Sequence, residues 1–338
     1  MAKKLEFGNY TLKFGEQKVL LDLYDEVVFP SFLEMKYKRK IKNKGEFFFL
    51  DTEVIKLVDD KNNPVVGISG RIVKNTRLRR EQIFRGKGLV EDHEELETAP
   101  SSTFLLILNN HRLVFCKEVP GAPTISNFCS TSAHFLKIAH QEFIDAQFAE
   151  AKAAREANPE LERVTKISLL DKYPRPNLRI TPLTDTEDLR QFVNRFAQID
   201  KLSIKLLPTN REEIDNDDFW RDFGRRKDKM NSPTTRVDFS NSEVGLDLEA
   251  VYEETSSATS LGNSEISIKG HNGDGDTLKG DNTDFDLSVE MEEMPREPKQ
   301  AAEAKYKVFM NLAEQGTISL PALAAEAIDK IKLIFDRL

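Results

Sequence analysis

Alternation of apolar and polar side chains through the first 115 residues is the feature that most constrains the fold. It runs through Leu5 and Phe7, then Tyr10, Leu12 and Phe14, then Phe47 and Phe49, Val65-Gly67-Ser69, and Phe104 to Leu108. A period of two is that of half-buried strands. Asn43-Lys44-Gly45 and Asp60 to Pro64 supply turn chemistry between strands. Phe104–Leu108 and Arg112–Phe115 flank the short polar turn Asn109-Asn110-His111, which predicts a hairpin. One helical interruption is expected from Gln17 to Phe32, where Val19, Leu20, Leu23, Val27 and Val28 recur at helical spacing and Pro30 bends or ends the helix. Residues 1–130 therefore read as a mostly antiparallel, basic β module.

Residues 131–296 read as a mixed α/β region. Phe135, Leu136, Ile138, Ala139, Phe143, Ile144 and Phe148 form a helical stripe between Thr131 and Asn158, closed by Pro159. A strand at Val164–Leu170, a helix at Asp185–Ala197, a strand through Leu202, Ile204 and Leu206 and a helix at Glu212–Phe223 are expected next. Residues 241–300 carry 15 acidic against four basic side chains. Ile266-Ile268 and Phe285-Leu287-Val289 still alternate, which favours a hairpin with a long acidic loop over a disordered linker. Two helices, Lys299–Gln315 and Pro321–Leu338, occupy the region 297–338, with Gly316 as the stop between them. The fold class is α+β.

With 338 residues, the chain buries a full core without staples. Its two cysteines, Cys116 and Cys129, form neither a disulfide framework nor a close metal pair, so reduced thiols and a cytoplasmic setting are expected. The first residues lack an apolar leader core, so no secretory signal is expected. No apolar run reaches the roughly 20 residues of a membrane-crossing helix. The net charge of −8 hides an asymmetry: residues 1–90 hold 19 Lys+Arg against 12 Asp+Glu, and the remainder 30 against 45. Such an imbalance points to a polyanionic partner or to docking between two parts of one chain.

Common catalytic motifs are absent. There is no GxxxxGK[ST] loop, no GxSxG, no HExxH, and Gly273-Asp274-Gly275 lacks the third glycine of a dinucleotide loop. Asp274–Asp286 places Leu278 and Lys279 where an EF-hand requires an oxygen ligand and glycine. His134 and His140 lie about 240° apart around a helix and do not share a metal. His140-Gln141-Glu142 has no downstream PCxxC. Glu34-Met35-Lys36 matches the ExK triplet of PD-(D/E)xK nucleases, with Asp22 or Asp25 as the further metal carboxylate, and gives a divalent-metal nuclease as the alternative function. No cofactor is expected.

Lys36, Lys38, Lys40 and Lys42 alternate with Met35, Tyr37 and Ile41, so a strand here would display a one-faced lysine comb about 20 Å long. That length suits several successive phosphates. Arg71, Lys74, Arg77, Arg79, Arg80, Arg85 and Lys87 form a second basic cluster with guanidinium forks. The competing explanation of the comb is protection of an edge strand. Arg225-Arg226-Lys227 beside Trp220 is a secondary candidate, offset by Asp217, Asp218, Asp222 and Asp228. These eleven lysines and arginines of the first module are the expected contacts to nucleic acid, with DNA foremost and no sequence preference.

The Phe104–Phe115 hairpin ending in His111-Arg112-Leu113-Val114-Phe115, the stretch from Leu202 to Asn210 and the Ile268–Gly273 hairpin resemble uncharacterised bacterial proteins encoded near restriction and phage-defence genes. The resemblance covers residues 100–290 and carries over no catalytic residues. It implies a prokaryotic cytoplasmic subunit of an antiviral defence system that binds phage or host nucleic acid. Two further expectations concern partners: the apolar residues of the closing helices predict a homo-oligomer, and the acidic 241–300 region could dock a protein of the same system.

Overall fold

The computed structural model describes residues 2–207, 213–214, 218–232, 234–320 and 322–338. Its first strands are β1 (Lys3–Phe14), β2 (Lys18–Val19), β3 (Arg39–Ile41) and β4 (Gly45–Val58). They are followed by β5 (Val65–Arg85), β6 (Gly88–Thr98), β7 (Ser101–Ile107) and β8 (Arg112–Lys117). With β9 (Pro176–Pro182) and β15 (Ser288–Met291), introduced in its place below, these build one ten-stranded sheet whose main path runs β15-β1-β8-β7-β5-β4-β3. Every pairing in it is antiparallel.

Between β2 and β3 the expected helix is built from three tighter and wider pieces. A 3-10 turn over Leu20–Leu23, anchored by Asp22 accepting from the Val19 amide at 2.8 Å, is followed by a π turn over Tyr24–Val28. A single α turn, α1 (Phe29–Phe32), ends the segment. Pro30 has no N–H and its ring crowds the carbonyl four residues back; the wide π turn before it relieves that conflict.

The sheet is covered on both faces. Tyr10, Leu12, Phe14, Phe47, Phe49, Phe104, Leu106, Leu113 and Phe115 face one side and pack against α2 (Ile125–Ala157), which supplies Phe128, Phe135 and Leu136. Leu5, Phe7, Leu105, Ile107, Val114 and Cys116 face the other side. Double coverage explains why Phe104–Leu108 and Leu113–Cys116 are unbroken apolar runs, since each alternate side chain needs an apolar environment. Phe128, whose ring centroid lies 4.8 Å from that of Phe104, is the hub of the aromatic contacts on the α2 side. Thr124 starts α2 by accepting from the Asn127 amide at 3.2 Å.

Residues 164–170, expected as a strand, enter α3 (Lys166–Lys172) instead. Thr165 and Ser168 make a reciprocal capping box, with each side-chain oxygen accepting from the other's amide at 3.0 and 3.1 Å. Only Leu169 of the helix is buried while Ile167 stays 73% exposed, a pattern that strand alternation does not produce.

β9 pairs along Gly8–Phe14 of β1, and the chain then leaves the sheet at Leu183. It passes through α4 (Thr186–Val193), β10 (Gln198–Leu206), β11 (Glu213–Ile214), α5 (Asp218–Lys229), β12 (Thr235–Ser240) and α6 (Leu248–Thr259). A hairpin of β13 (Ser264–His271) and β14 (Thr277–Asp281) completes this second, four-stranded sheet, ordered β12-β10-β13-β14. α4 and α6 close over it around Phe192, Ile204, Val251, Ile268 and Phe285. Gly270 is required at the β10 irregularity, because a Cβ there would lie 2.0 Å from the Gln198 carbonyl oxygen. Of the helix expected at Glu212–Phe223, Asp218 to Phe223 lie in α5, Glu213–Ile214 form β11 instead, and residues 212 and 215–217 lie outside the described residues. Val289, expected to belong to the same hairpin as Ile268, lies in β15 and pairs with Leu5 of β1.

The closing helices are α7 (Pro298–Glu314) and α8 (Ala325–Phe335), with β16 (Ala322–Leu323) before the second pairing with β11. α7 covers the Leu5/Phe7 face of the large sheet, and α8 joins α2 on the opposite face. Gly316 ends α7 with φ +77°.

Candidate nucleic-acid interface

The lysine comb is not one strand. Met35 has φ +51° and the Lys36 amide donates to the Leu33 carbonyl at 3.2 Å, so Lys36 sits in a turn and only Arg39–Ile41 pair as a strand. Lys36 is drawn onto α2, 3.2 Å from Glu142, with its Nζ over the Tyr37 ring at 4.8 Å. The Tyr37 hydroxyl, ahead of Glu142, holds the Lys36 ammonium above the ordinary lysine range. Arg39 also turns inward, donating to Ser130 at 2.7 Å and Thr131 at 3.2 Å. Lys38 and Lys40 share one carboxylate, lying 3.6 and 3.8 Å from Glu46, and Lys40 keeps 85% of its side chain exposed. Lys42 and Lys44 are exposed in the β3–β4 turn. That turn needs Gly45, whose φ is +99° and whose Cβ would lie 2.3 Å from the Asn75 carbonyl oxygen.

The second basic cluster is dispersed over three environments. Arg71 is a structural bolt: its Nε donates to both Glu118 oxygens at 3.2 Å, one Nη pairs with Asp51, and the other donates to the Arg296 carbonyl at 2.9 Å. Lys74 is half-buried opposite Phe47 in the ladder. Arg77, Arg79, Arg80 and Arg85 lie on a two-stranded ribbon, β5–β6, that extends beyond the ends of β4 and β7. The partner strand is acidic. Arg77 lies 3.4 and 3.3 Å from Glu95 and Glu97, Arg80 lies 2.6 Å from Glu94, and Arg79 stands opposite Glu95 in the backbone ladder. Arg85 and Lys87 are exposed at the tip, where Gly86 has φ +64°. Residues 76–98 hold five Lys+Arg against six Asp+Glu. Extending the N-terminal balance from residue 90 to residue 98 changes it from 19 against 12 to 19 against 17.

A cleft of about 810 Å³ remains where the β3–β4 turn and the base of the ribbon diverge. Lys40, Asn43, Asn75, Thr76 and Arg77 line it together with the carboxylates Glu46 and Glu97. Residues 36–45 contain six basic and no acidic side chains. With Lys36 and Arg39 engaged on α2, Lys40 and Arg77 are the cations that line the cleft, and Lys38, Lys42 and Lys44 belong to the same 36–45 segment as Lys40.

The nuclease arrangement does not assemble. Asp22 accepts from Lys330 at 2.8 Å, Asp25 lies 2.8 Å from Arg337, and Lys36 is on Glu142. Among the described residues no group of three or more His, Cys, Asp or Glu is placed to hold a metal ion. His140 is buried, with its ring nitrogen 2.9 Å from the Tyr173 carbonyl and its ring stacked on Phe14; burial lowers its pKa. Arg226 pairs with Asp222 at 2.9 Å, and Lys227 is buried. The acidic turn at 272–276 is closed by Asn272, which accepts from the Asp274 and Asp276 amides at 3.0 and 2.8 Å.

One unusual group was not anticipated. Lys305 of α7 is 1% exposed, with its Nζ 3.9 Å from the Met294 sulfur and near Cys116, Glu118 and Arg71; burial lowers its pKa to about 8. Its signal was present in the i, i+4 stripe Ala301-Lys305-Phe309, in which a lysine occupies a core position. Among the described residues, no helix is long and apolar enough to cross a membrane. Comparison with protein-family models finds no match, and comparison with curated proteins finds none.

Proposed function

We propose that this chain is a nucleic-acid-binding subunit that holds phosphates, without base readout, on the lysine-rich lip formed by the β3–β4 turn and the adjoining cleft. The observation that carries this reading is the run of residues 36–45, in which Lys38, Lys40, Lys42 and Lys44 stay off α2 with no anion inside the run, beside a cleft lined by Lys40, Asn43, Asn75 and Arg77 as well as Glu46 and Glu97. Exposed ion pairs such as Lys40–Glu46 are each worth less than about 1 kcal/mol, so a phosphate competes with them readily. Lysine and amide donors around an open cleft suit a backbone, which presents oxygens at regular intervals, better than a base edge. The resemblance of residues 100–290 to proteins encoded near phage-defence genes supports a prokaryotic antiviral setting, with phage or host DNA as the polyanion.

The test is binding of duplex and single-stranded oligonucleotides at low salt, followed as salt is raised. A contact to three or four phosphates gives a log–log slope of about −3 on duplex DNA. The triple replacement Lys40→Gln, Lys42→Gln, Lys44→Gln is expected to weaken binding at least tenfold on unrelated sequences and to flatten the slope. Arg80→Gln, on the charge-balanced ribbon, is expected to leave both unchanged. Absence of any low-salt complex with the intact protein, or an unchanged slope in the triple variant, overturns the reading.

A further inference from the structure

The β5–β6 ribbon carries a pattern that phosphate binding does not use. Its register sets Leu78 opposite Leu96, Arg80 opposite Glu94 and Phe84 opposite Leu89. The irregularity between Arg80 and Gln82 falls on β6, which advances three residues while β5 advances two, so β5 keeps its alternation and Leu78, Arg80, Gln82 and Phe84 project from one face. That face reads an apolar rung, an ion-pair rung, a polar rung of Gln82 opposite Glu91, and a second apolar rung. Leu78 is 58% exposed, Leu96 66%, Phe84 71% and Leu89 70%. Four large apolar side chains in two cross-strand pairs on one bare face are not the scattered single residues of an ordinary surface. A two-stranded ribbon is marginal alone in water, and its apolar face gains stability only when something covers it.

We propose that this face is a self-association surface, on which the ribbon of a second copy of the chain stacks about a two-fold axis running along the ribbon. The argument for a second copy is self-complementarity. Such an axis lays β5 of one copy over β6 of the other, so Leu78 meets Leu96, Phe84 meets Leu89, the Gln82 amide meets the Glu91 carboxylate, and Arg80 meets Glu94 twice, once from each chain. The Arg80–Glu94 rung is heteropolar within each chain, with the two groups 2.6 Å apart, so stacking joins two dipolar pairs in opposite sense and makes a four-charge ring. Edge-to-edge pairing about a two-fold would instead set β5 beside β5, arginine against arginine, or β6 beside β6, glutamate against glutamate, and is disfavoured. A face about 30 Å long and two strands wide is smaller than the roughly 800 Å² per partner of a standard interface, so the dimer is weak, with a Kd in the micromolar range. This surface is separate from the lysine lip and stands whether or not the lip binds nucleic acid.

The experiment is sedimentation velocity on the full chain, free of nucleic acid by its absorbance ratio, from about 5 to 200 µM, a range that brackets a micromolar constant. The expected result is a concentration-dependent shift from monomer to dimer, abolished by Phe84→Asp and by Leu78→Asp with the circular dichroism and melting temperature unchanged. Arg80→Glu and Glu94→Arg are each expected to be monomeric alone, and an equimolar mixture of the two is expected to recover the dimer, because each chain then offers the charge the other lacks. A protein that stays monomeric through the whole range overturns the proposal and leaves the face to a different polypeptide. A dimer indifferent to Phe84→Asp overturns it by placing the contact elsewhere, and a mixture that stays monomeric overturns the two-fold stack.

Discussion

Lys305 shows at the residue scale how a single misplaced charge marks a pressure on the fold. An ammonium that is 1% exposed loses most of its hydration, and its neighbours Cys116, Glu118 and Arg71 do not make that up, so its pKa falls from 10.5 to about 8. In the unfolded chain the ordinary value returns. Between pH 8 and 10.5 the unfolded state therefore binds more protons than the folded one, and stability rises with pH through that window. Below pH 8 the folded lysine is charged as well and the penalty is constant, on the order of 3 kcal/mol. Cys116 works in the opposite sense: burial raises its thiol above 9.0, so the folded state holds that proton longer and stability falls as pH climbs beyond that value. The clean interval is pH 8 to 9. Lys305→Met is expected to stabilise the protein by about 1–3 kcal/mol at pH 7 and to remove the rise over that interval, as read by urea denaturation at stepped pH. A variant no more stable than the parent at pH 7 would show that the ammonium is compensated in place. Arg71 makes the complementary point, since four hydrogen bonds to Glu118, Asp51 and Arg296 use up the guanidinium that the sequence offered as a phosphate contact.

At the scale of elements, α8 decides between two uses of the same apolar stripe. Its Ala327, Ile331, Ile334 and Phe335 are buried with Phe49 and Phe104 in the core beneath the large sheet, while Leu333 is exposed. Phe309 of α7 is likewise buried, on the opposite face. The closing helices thus spend their largest apolar side chains on their own core, and the oligomer surface expected of them moves to the β5–β6 ribbon as a proposal. Removing residues 317–338 is expected to cost more than about 5 kcal/mol of burial, comparable with the whole stability of a domain. Such a truncation should abolish the cooperative thermal transition in circular dichroism, and a truncated protein that melts like the parent would refute the packing role. Phe104–Leu108 and Leu113–Phe115, apolar on both faces, and α2, with one buried stripe, were legible because burial leaves a continuous or periodic apolar record. α6 was hidden, because its buried face is Val251, Thr255, Ala258 and Thr259, small or hydroxylated residues in an acid-rich stretch. β9 was hidden by prolines at both ends and by half-buried residues between them. The lysine comb was misread as a continuous strand because alternation of lysines is visible in sequence while a positive φ at Met35 is not. The neutralising strand β6 was in view, with Gly86-Lys87-Gly88 as its turn, but a charge balance taken at residue 90 divided the hairpin between two counts.

Across the whole molecule, two strands of one edge define how the parts are joined. β9 and β15 pair with the same side of β1, and everything between them, Leu183 to Leu287, returns to the point it left. The Leu287 amide donates to the Leu183 carbonyl at 2.7 Å and Thr184 bridges Asp286, so the two ends of this stretch are neighbours. It has its own sheet and its own core around Phe192, Ile204 and Phe285, while α2, expected to open the second region, belongs to the first sheet. Among the described residues, direct ties between the two parts include the short β11–β16 pairing, Asn9 donating to the Leu261 and Gly262 carbonyls at 3.2 and 3.3 Å, and Arg179 lying 2.7 Å from Glu265. Closing the chain over a gap already this short costs little entropy. Replacing residues 186–284 with a short Gly/Ser turn is therefore expected to leave the large sheet, α2, α7 and α8 folded, at a cost of about 1–3 kcal/mol for the buried Asn9 amide deprived of its acceptors, with β16 left without its β11 partner. Calorimetry reads the outcome directly. A single cooperative transition in the shortened chain, with a smaller enthalpy than the parent's, supports an inserted unit with a separate core; loss of any transition would mean that the second stretch completes the first, through the β11–β16 pairing and the contacts of Asn9.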